Sequence, residues 1–169
     1  MRLFFFCIGI QLTIVAVPIL LCAQPDDLLQ EYQEAEALYN TPNPTPESDS
    51  TALTKYLWVA NQLQQTNQQP HLLINSYERA GVIQQINNNN KKAVNLYQNA
   101  ISVAYNHSLS DSLVYLSYLY SGNAYYQLNA LDSALHYLKR AEEILQKYKV
   151  GEADRLYNSF GSIYYEAGN

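Results

Sequence analysis

Apolar and small residues recur at helical spacing along most of the chain. Tyr118, Gly122 and Tyr125 follow one another at intervals of four and three positions, which places them on one face of a helix. A second run repeats this spacing at Ala134, Leu138 and Ala141. Small residues where two helices cross let the backbones approach closely, while the Tyr and Leu side chains fill the space above and below. The pattern predicts pairs of packed helices.

The pattern is an internal repeat. Three copies align on Gly81, Gly122 and Gly161, which gives a period of roughly 40 residues. A single helical hairpin cannot bury its apolar stripe, whereas stacked copies can. The third copy contains only its first half. The structural positions of the repeat are Tyr77, Gly81, Ala93 and Ala100, then Tyr118, Gly122, Tyr125, Ala134 and Ala141, then Tyr157, Gly161 and Tyr164.

Turns and helix starts have their own residues. Asn and Gly tolerate the left-handed conformation that ends a helix, so residues 87–90, 127–130 and 167–169 are predicted turns. Asp49, Asp111 and Asp132 each stand before a Ser and an apolar run. Their side chains could cap free backbone amides, which predicts that helices begin at these residues.

The region before the three copies is less regular. Residues 26–39 and 51–65 are predicted helices, and three prolines make residues 41–47 a loop. Ala52 precedes Ala93 by the interval that separates Gly81 from Gly122, which continues the period. Residues 24–70 are therefore predicted to be a degenerate capping repeat, and residues 71–169 the regular array.

The N-terminal segment, residues 1–23, reads as a targeting sequence. Arg2 precedes an apolar run over residues 3–21, and the sequence after Ala23 is polar, so residues 1–23 are a predicted signal peptide. The protein is expected to be exported, either to a periplasm or to the medium. Two alternatives are an uncleaved membrane anchor at residues 3–21 and lipidation at Cys22. Both cysteines lie in this segment, so the mature chain would have no disulfide.

Charge and motifs exclude several functions. The net charge is −5, with 10 basic and 15 acidic residues, and this argues against nucleic acid and against a polybasic membrane surface. A membrane would be contacted only through the N-terminal segment. The chain has no glycine-rich phosphate loop and no paired-histidine motif, and His71, His107 and His136 are scattered. We expect no catalytic residue, cofactor or metal, and hence no enzyme.

The repeat resembles the tetratricopeptide repeat family. Tyr157, Phe160, Gly161 and Tyr164 match its aromatic, large–small and aromatic positions, and Ala134, Leu138 and Ala141 match its second helix. The resemblance implies an all-α fold of stacked antiparallel helical hairpins in a right-handed superhelical solenoid. The usual period is about 34 residues, so this chain would be a long-period variant.

The resemblance also implies a concave groove lined by the first helix of each hairpin. Such a groove suits a non-enzymatic scaffold that binds a peptide or a protein segment, because its amides can hydrogen-bond an extended backbone. The predicted groove residues are Asn75, Glu78 and Gln85, then Asn123, Tyr126 and Gln127, then Arg155, Asn158, Tyr165 and Glu166.

A second hypothesis concerns a longer protein. A signal, a cap and long-period repeats resemble the front of bacterial exported proteins that continue into a caspase-like protease of the CHAT type or a sensor histidine kinase. This chain would then be a sensory or regulatory segment. The unfinished third copy leaves Phe160 and Tyr164 without a covering helix, which also predicts self-association through that edge.

Overall fold

The computed structural model describes residues 24–151, 153–166 and 168, and within them the chain is helical with no strand. The predicted signal segment lies outside these residues. None of the described helices has the length and apolar character needed to cross a membrane. Seven α-helices are described: α1 Pro25–Tyr39, α2 Pro46–Thr66, α3 Pro70–Ile86, α4 Asn90–Asn106, α5 Tyr115–Gln127, α6 Leu131–Tyr148 and α7 Ala153–Glu166. A 3-10 turn at Asp111–Val114 leads into α5.

The helices form hairpins that stack in chain order. Each helix packs against the helix before it and the helix after it. In addition, α3 contacts α5 and α5 contacts α7, so the first helices of successive hairpins lie side by side in one layer. The predicted all-α class and the predicted stacking of hairpins are confirmed.

The predicted turns at helix ends agree with the structure better than the predicted helix starts do. Asn88 and Asn129 adopt the left-handed conformation, with φ of 58° and 56°, in two of the three predicted turns. The predicted caps at Asp49, Asp111 and Asp132 are wrong, because each lies inside the first turn of its element. There a negative charge still interacts favourably with the positive end of a helix. The start of α2 is set by Thr45, whose hydroxyl accepts a hydrogen bond from the backbone of Ser48 at 3.1 Å.

Two glycines let the second helix of a hairpin lie directly on the first. A Cβ atom at Gly81 would be closer than 3.0 Å to three ring atoms of Tyr97, and one at Gly122 would be 2.6 Å from Leu138 Cδ2. Tyr97 and Leu138 are fully buried, so neither can easily move aside. The alanines on either side are also buried, at Ala93, Ala100, Ala134 and Ala141.

The first hairpin achieves the same packing with a different residue. Tyr56 of α2 lies one repeat period before Tyr97, and both rings are fully buried. The Tyr97 hydroxyl donates to Gln85, four positions after Gly81, at 3.1 Å. The Tyr56 hydroxyl donates to Glu36, four positions after Tyr32, at 2.7 Å. Tyr32 therefore occupies the glycine position in the first hairpin, and its ring meets Tyr56 edge-on at 5.6 Å.

Candidate partner-binding site

The layer of first helices contains a cavity of about 550 Å³. It lies between α3, the 3-10 turn with α5, and the start of α7. Three of the predicted groove residues line it, namely Asn75, Glu78 and Arg155. Its size falls within the range of small-ligand pockets in proteins, and it combines apolar walls with a few polar groups.

The apolar wall comes from α5 and the turn before it. Leu113 and Leu116 are each 38% exposed and face the cavity, and the fully buried Leu119 closes it behind them. Exposed leucines in a concave place are typical of a surface that gains free energy when a partner covers it.

Gly151 lets the chain enter α7 beside this wall. Its φ is +83°, and an added Cβ atom would overlap the ring of Tyr115. Glycine is the residue that adopts this conformation without strain. The side of the cavity formed by Val150 and Arg155 therefore depends on it.

Glu78 is the half-buried acidic group of the cavity. Ser117 of α5 donates a hydrogen bond from its hydroxyl to the Glu78 carboxyl at 2.5 Å. Burial raises the pKa of Glu78 to about 7, against the hydrogen bonds from Ser117 and the charge of Arg79, which lower it. Near neutral pH the carboxyl therefore exists in both its protonated and its charged form.

Arg79 follows Glu78 in the chain, and the positive charge of its guanidinium is already paired with the carboxylate of Glu36. Its Nε atom donates to Glu36 at 2.8 Å, and its guanidinium lies 4.9 Å from the ring centre of Tyr39. Arg79 also lines a smaller cavity of about 170 Å³ that reaches Tyr32 and Val82. This arginine joins the first hairpin to the wall of the site.

The other two predicted groove residues that line the cavity, Arg155 and Asn75, differ in their hydrogen bonds to the rest of the protein. Arg155 donates from Nη1 to the hydroxyl of Tyr120 at 3.1 Å, which holds the guanidinium against α5. Asn75 is exposed, and no described residue hydrogen-bonds its side-chain amide. An amide of this kind can both donate to and accept from a peptide group.

The other predicted groove residues lie outside the cavity. Gln85 donates to Gln127 at 3.3 Å, and Tyr126 hydrogen-bonds Glu166, so these four side chains connect successive first helices to one another. The remaining three share the layer without lining the cavity: Asn123 is half-buried, and Asn158 and Tyr165 are exposed.

Sequence reasoning missed the apolar half of the site. The predicted groove contained no aliphatic residue, whereas Leu116, Leu119 and Tyr120 line the cavity. The repeat period contains the signal that finds one of them. One period separates Leu116 from Asn75 before it and from Arg155 after it, so the three residues occupy the same position in successive copies.

The described residues give no sign of a metal centre. Among them, no three His, Cys, Asp or Glu side chains stand close enough together to hold one ion. The site described above therefore offers hydrogen bonds, one titratable carboxyl and apolar contact.

No protein-family model and no curated protein matches the sequence. The structure is similar to the N-terminal domain of stress-induced protein-1 (STI-1) from C. elegans, with a TM-score of 0.59. The alignment covers 79% of this chain and 94% of that chain at 16% identity. At this identity the similarity shows the fold alone, which is a helical array of the tetratricopeptide type.

Proposed function

We propose that the chain is a non-enzymatic scaffold that binds a short protein segment in the layer of first helices. The observation that carries the proposal is the cavity between α3, α5 and α7. It joins two partly exposed leucines, Leu113 and Leu116, to the polar groups of Asn75, Glu78 and Arg155.

The two halves of the cavity suit the two parts of a peptide. An apolar side chain of the segment would cover Leu113 and Leu116, and burying it supplies affinity in proportion to the apolar area removed from water. The Asn75 amide would hydrogen-bond a backbone group of the same segment. A folded helical layer of this kind also loses little conformational freedom on binding.

A library of short random peptides displayed on phage, selected on the immobilised chain, tests the proposal. Enriched peptides are synthesised with a fluorescent label, and their affinity is measured by anisotropy. Leu116→Glu would place a charge against the apolar side chain of the peptide. We expect this variant to bind at least about tenfold more weakly than the unmodified chain.

Leu57 supplies the matched control. It is 37% exposed on α2, against 38% for Leu116, and it lies outside the cavity. Leu57→Glu should leave peptide affinity within about twofold. Equal losses in both variants, or enriched peptides that bind Leu116→Glu normally, would contradict the proposed site.

A second pair of variants asks how far the groove extends. Asn123 and Asn158 lie in the same layer beyond the cavity, and no described residue hydrogen-bonds their side-chain amides. If the bound segment continues along the layer, replacing both by Ala should weaken binding by about tenfold, while the helical melting curve stays unchanged. Unaltered affinity would confine the bound segment to the cavity.

The helical fold suits this function, since arrays of this kind present side chains on a rigid surface. Export through residues 1–23, and a role as the regulatory segment of a longer enzyme, stay predictions from the sequence.

A further inference from the structure

A second surface of the molecule lies on α7, on a different face from the cavity. Tyr157 is 50% exposed and Tyr164 is 42% exposed, and Gly161 lies between them. Phe160 is buried, but its ring stacks on Tyr164 at 6.1 Å and forms part of a shallow groove with Lys139 and Glu142 of α6. We refer to Tyr157, Phe160, Gly161 and Tyr164 as the α7 face.

The same face is covered in the two earlier copies. Tyr77, Gly81 and Gln84 occupy these positions on α3 and are buried. Tyr118, Gly122 and Tyr125 occupy them on α5, where Gly122 is buried and both tyrosines are half-buried. The covering helices are α4 and α6.

The covering helices share one chemistry. Each places a large side chain over the glycine and an alanine on either side of it: Ala93, Tyr97 and Ala100 in α4, and Ala134, Leu138 and Ala141 in α6. At Gly161 an added Cβ atom would meet nothing within 4 Å among the described residues. Within this part of the chain, the α7 face therefore has the shape of the covered faces and lacks the cover.

We infer that the α7 face binds an amphipathic partner helix that presents a large apolar side chain between two alanines, seated as α6 is seated on α5. The large side chain would lie over Gly161, and the alanines would let the two backbones approach beside Tyr157 and Tyr164.

The polar residues at the edge of the α7 face set a further requirement on the sequence of the partner helix. In the covered joint, Gln98 of α4 donates to Tyr125 at 3.2 Å and to Tyr137 at 2.8 Å, and Tyr137 directly precedes Leu138. Lys139 lies one repeat period after Gln98 and stands in the groove beside Tyr164. Since the Lys139 ammonium only donates hydrogen bonds, the partner helix should carry an oxygen that accepts one, such as a hydroxyl, directly before its large apolar residue.

A peptide with the α6 sequence, residues 131–148, is the probe, because it contains this arrangement. The labelled peptide is titrated with the full chain, and binding is followed by fluorescence anisotropy. We expect saturable binding that a peptide carrying Leu138→Glu does not show. In the chain, Gly161→Leu should weaken binding of the α6 peptide at least about tenfold, because its side chain would fill the place of the partner's leucine.

Gly161→Leu separates binding from folding. The position is open and helical, so Leu should leave the melting temperature of the free chain unchanged or raise it, since Leu is the better helix former. Ser162→Leu is the matched control, because it adds the same side chain at the next exposed position of α7 and should bind the peptide normally.

Three outcomes would overturn the inference. One is the absence of binding by the α6 peptide, and another is equal binding by Gly161→Leu. The third is a concentration-dependent dimer of the chain that Gly161→Leu abolishes, since α7 would then pair with a second copy. Leu116→Glu should not affect the α6 peptide, so failure here is distinguishable from failure of the cavity as a peptide site.

Discussion

The joint between the first and second hairpins and the joint between the second and third hold a carboxyl group in opposite ways. Glu36 of α1 accepts hydrogen bonds from Tyr56, Arg79 and Asn40. Burial works the other way, but the hydrogen bond from Tyr56 and the charge of Arg79 lower the pKa of Glu36. Glu78 of α3 accepts from Ser117, and burial raises its pKa. The first joint therefore stabilises the charged form of Glu36, and the second destabilises the charged form of Glu78.

The packing of helices differs along with the charges. In the hairpin α3–α4, Tyr97 lies on the backbone at Gly81, whereas in α1–α2 a second ring, Tyr32, stands in the glycine position. The comparison teaches that one repeat period can hold two kinds of hairpin: in α1–α2 the rings of Tyr32 and Tyr56 meet, whereas in α3–α4 the ring of Tyr97 lies directly on the backbone. Substitutions at equivalent positions should then have opposite requirements.

The largest effect should come from adding one methyl group at the backbone contact inside the hairpin α3–α4. Gly81→Ala forces a Cβ atom against the Tyr97 ring, which is fully buried among close-packed neighbours. We expect the free energy of unfolding to fall by about 3 kcal/mol, as measured by urea denaturation followed by circular dichroism.

The equivalent position in the hairpin α1–α2 has the opposite requirement, because a large side chain is needed there and its removal should destabilise the fold. Tyr32→Ala removes atoms from the ring contact with Tyr56 and should cost about 2 kcal/mol through the space it leaves. If Gly81→Ala were neutral, or if Tyr32→Ala increased stability, the two hairpins would not differ as described.

The next effect concerns pH at Glu78. The folded chain keeps the proton up to about pH 7, whereas an ordinary carboxyl has a pKa of 4.5, so the unfolded state binds fewer protons between these values. Stability should therefore fall as pH rises through this window, by up to about 3 kcal/mol in total. Glu78→Gln should match the unmodified chain at acid pH and be more stable by that amount at pH above 7. Urea midpoints measured across the pH range would show the divergence, and parallel curves would contradict it.

A smaller effect of opposite sign is expected at Glu36. Because its pKa is lowered in the folded chain, this carboxyl stabilises the fold at neutral pH, and the stabilisation is lost as pH falls through the folded pKa. Glu36→Gln should cost about 1 kcal/mol at neutral pH, since Arg79 is partly exposed and solvent screens the pair. Thermal melts at neutral and acid pH test this, and the cost should vanish at acid pH.

The smallest effect should come from the outer surface of the first hairpin. Lys55 contacts Glu31 at 2.6 Å and Glu34 at 2.7 Å, and both acidic partners are more than a third exposed. Lys55→Met should shift the urea midpoint by less than Glu36→Gln does, and by still less in high salt, because water and ions screen exposed charges. A large loss in the same urea assay would mean that the first hairpin depends on its surface charges as well.

The sequence predicts the helices and their stacking because both follow from local spacing and from the repeat. It predicts the turns at Asn88 and Asn129, where one residue type fits one conformation. It does not predict the burial of Glu78, which depends on Ser117 in the next hairpin. The sequence also does not reveal that Gln85 of α3 hydrogen-bonds Gln127 of α5. Polar side chains that face the same layer from two helices can bind each other as readily as they bind a partner.

Chain-order packing also determines how the molecule should respond to force and to a broken backbone. Because each helix rests chiefly on its sequence neighbours, few contacts close long loops, and topologies of this kind fold rapidly. Pulling on the two ends should detach hairpins one after another rather than all at once, because each hairpin is held only by its neighbours. A cut in the loop between α1 and α2 should release α1 and leave the packing among the other helices intact.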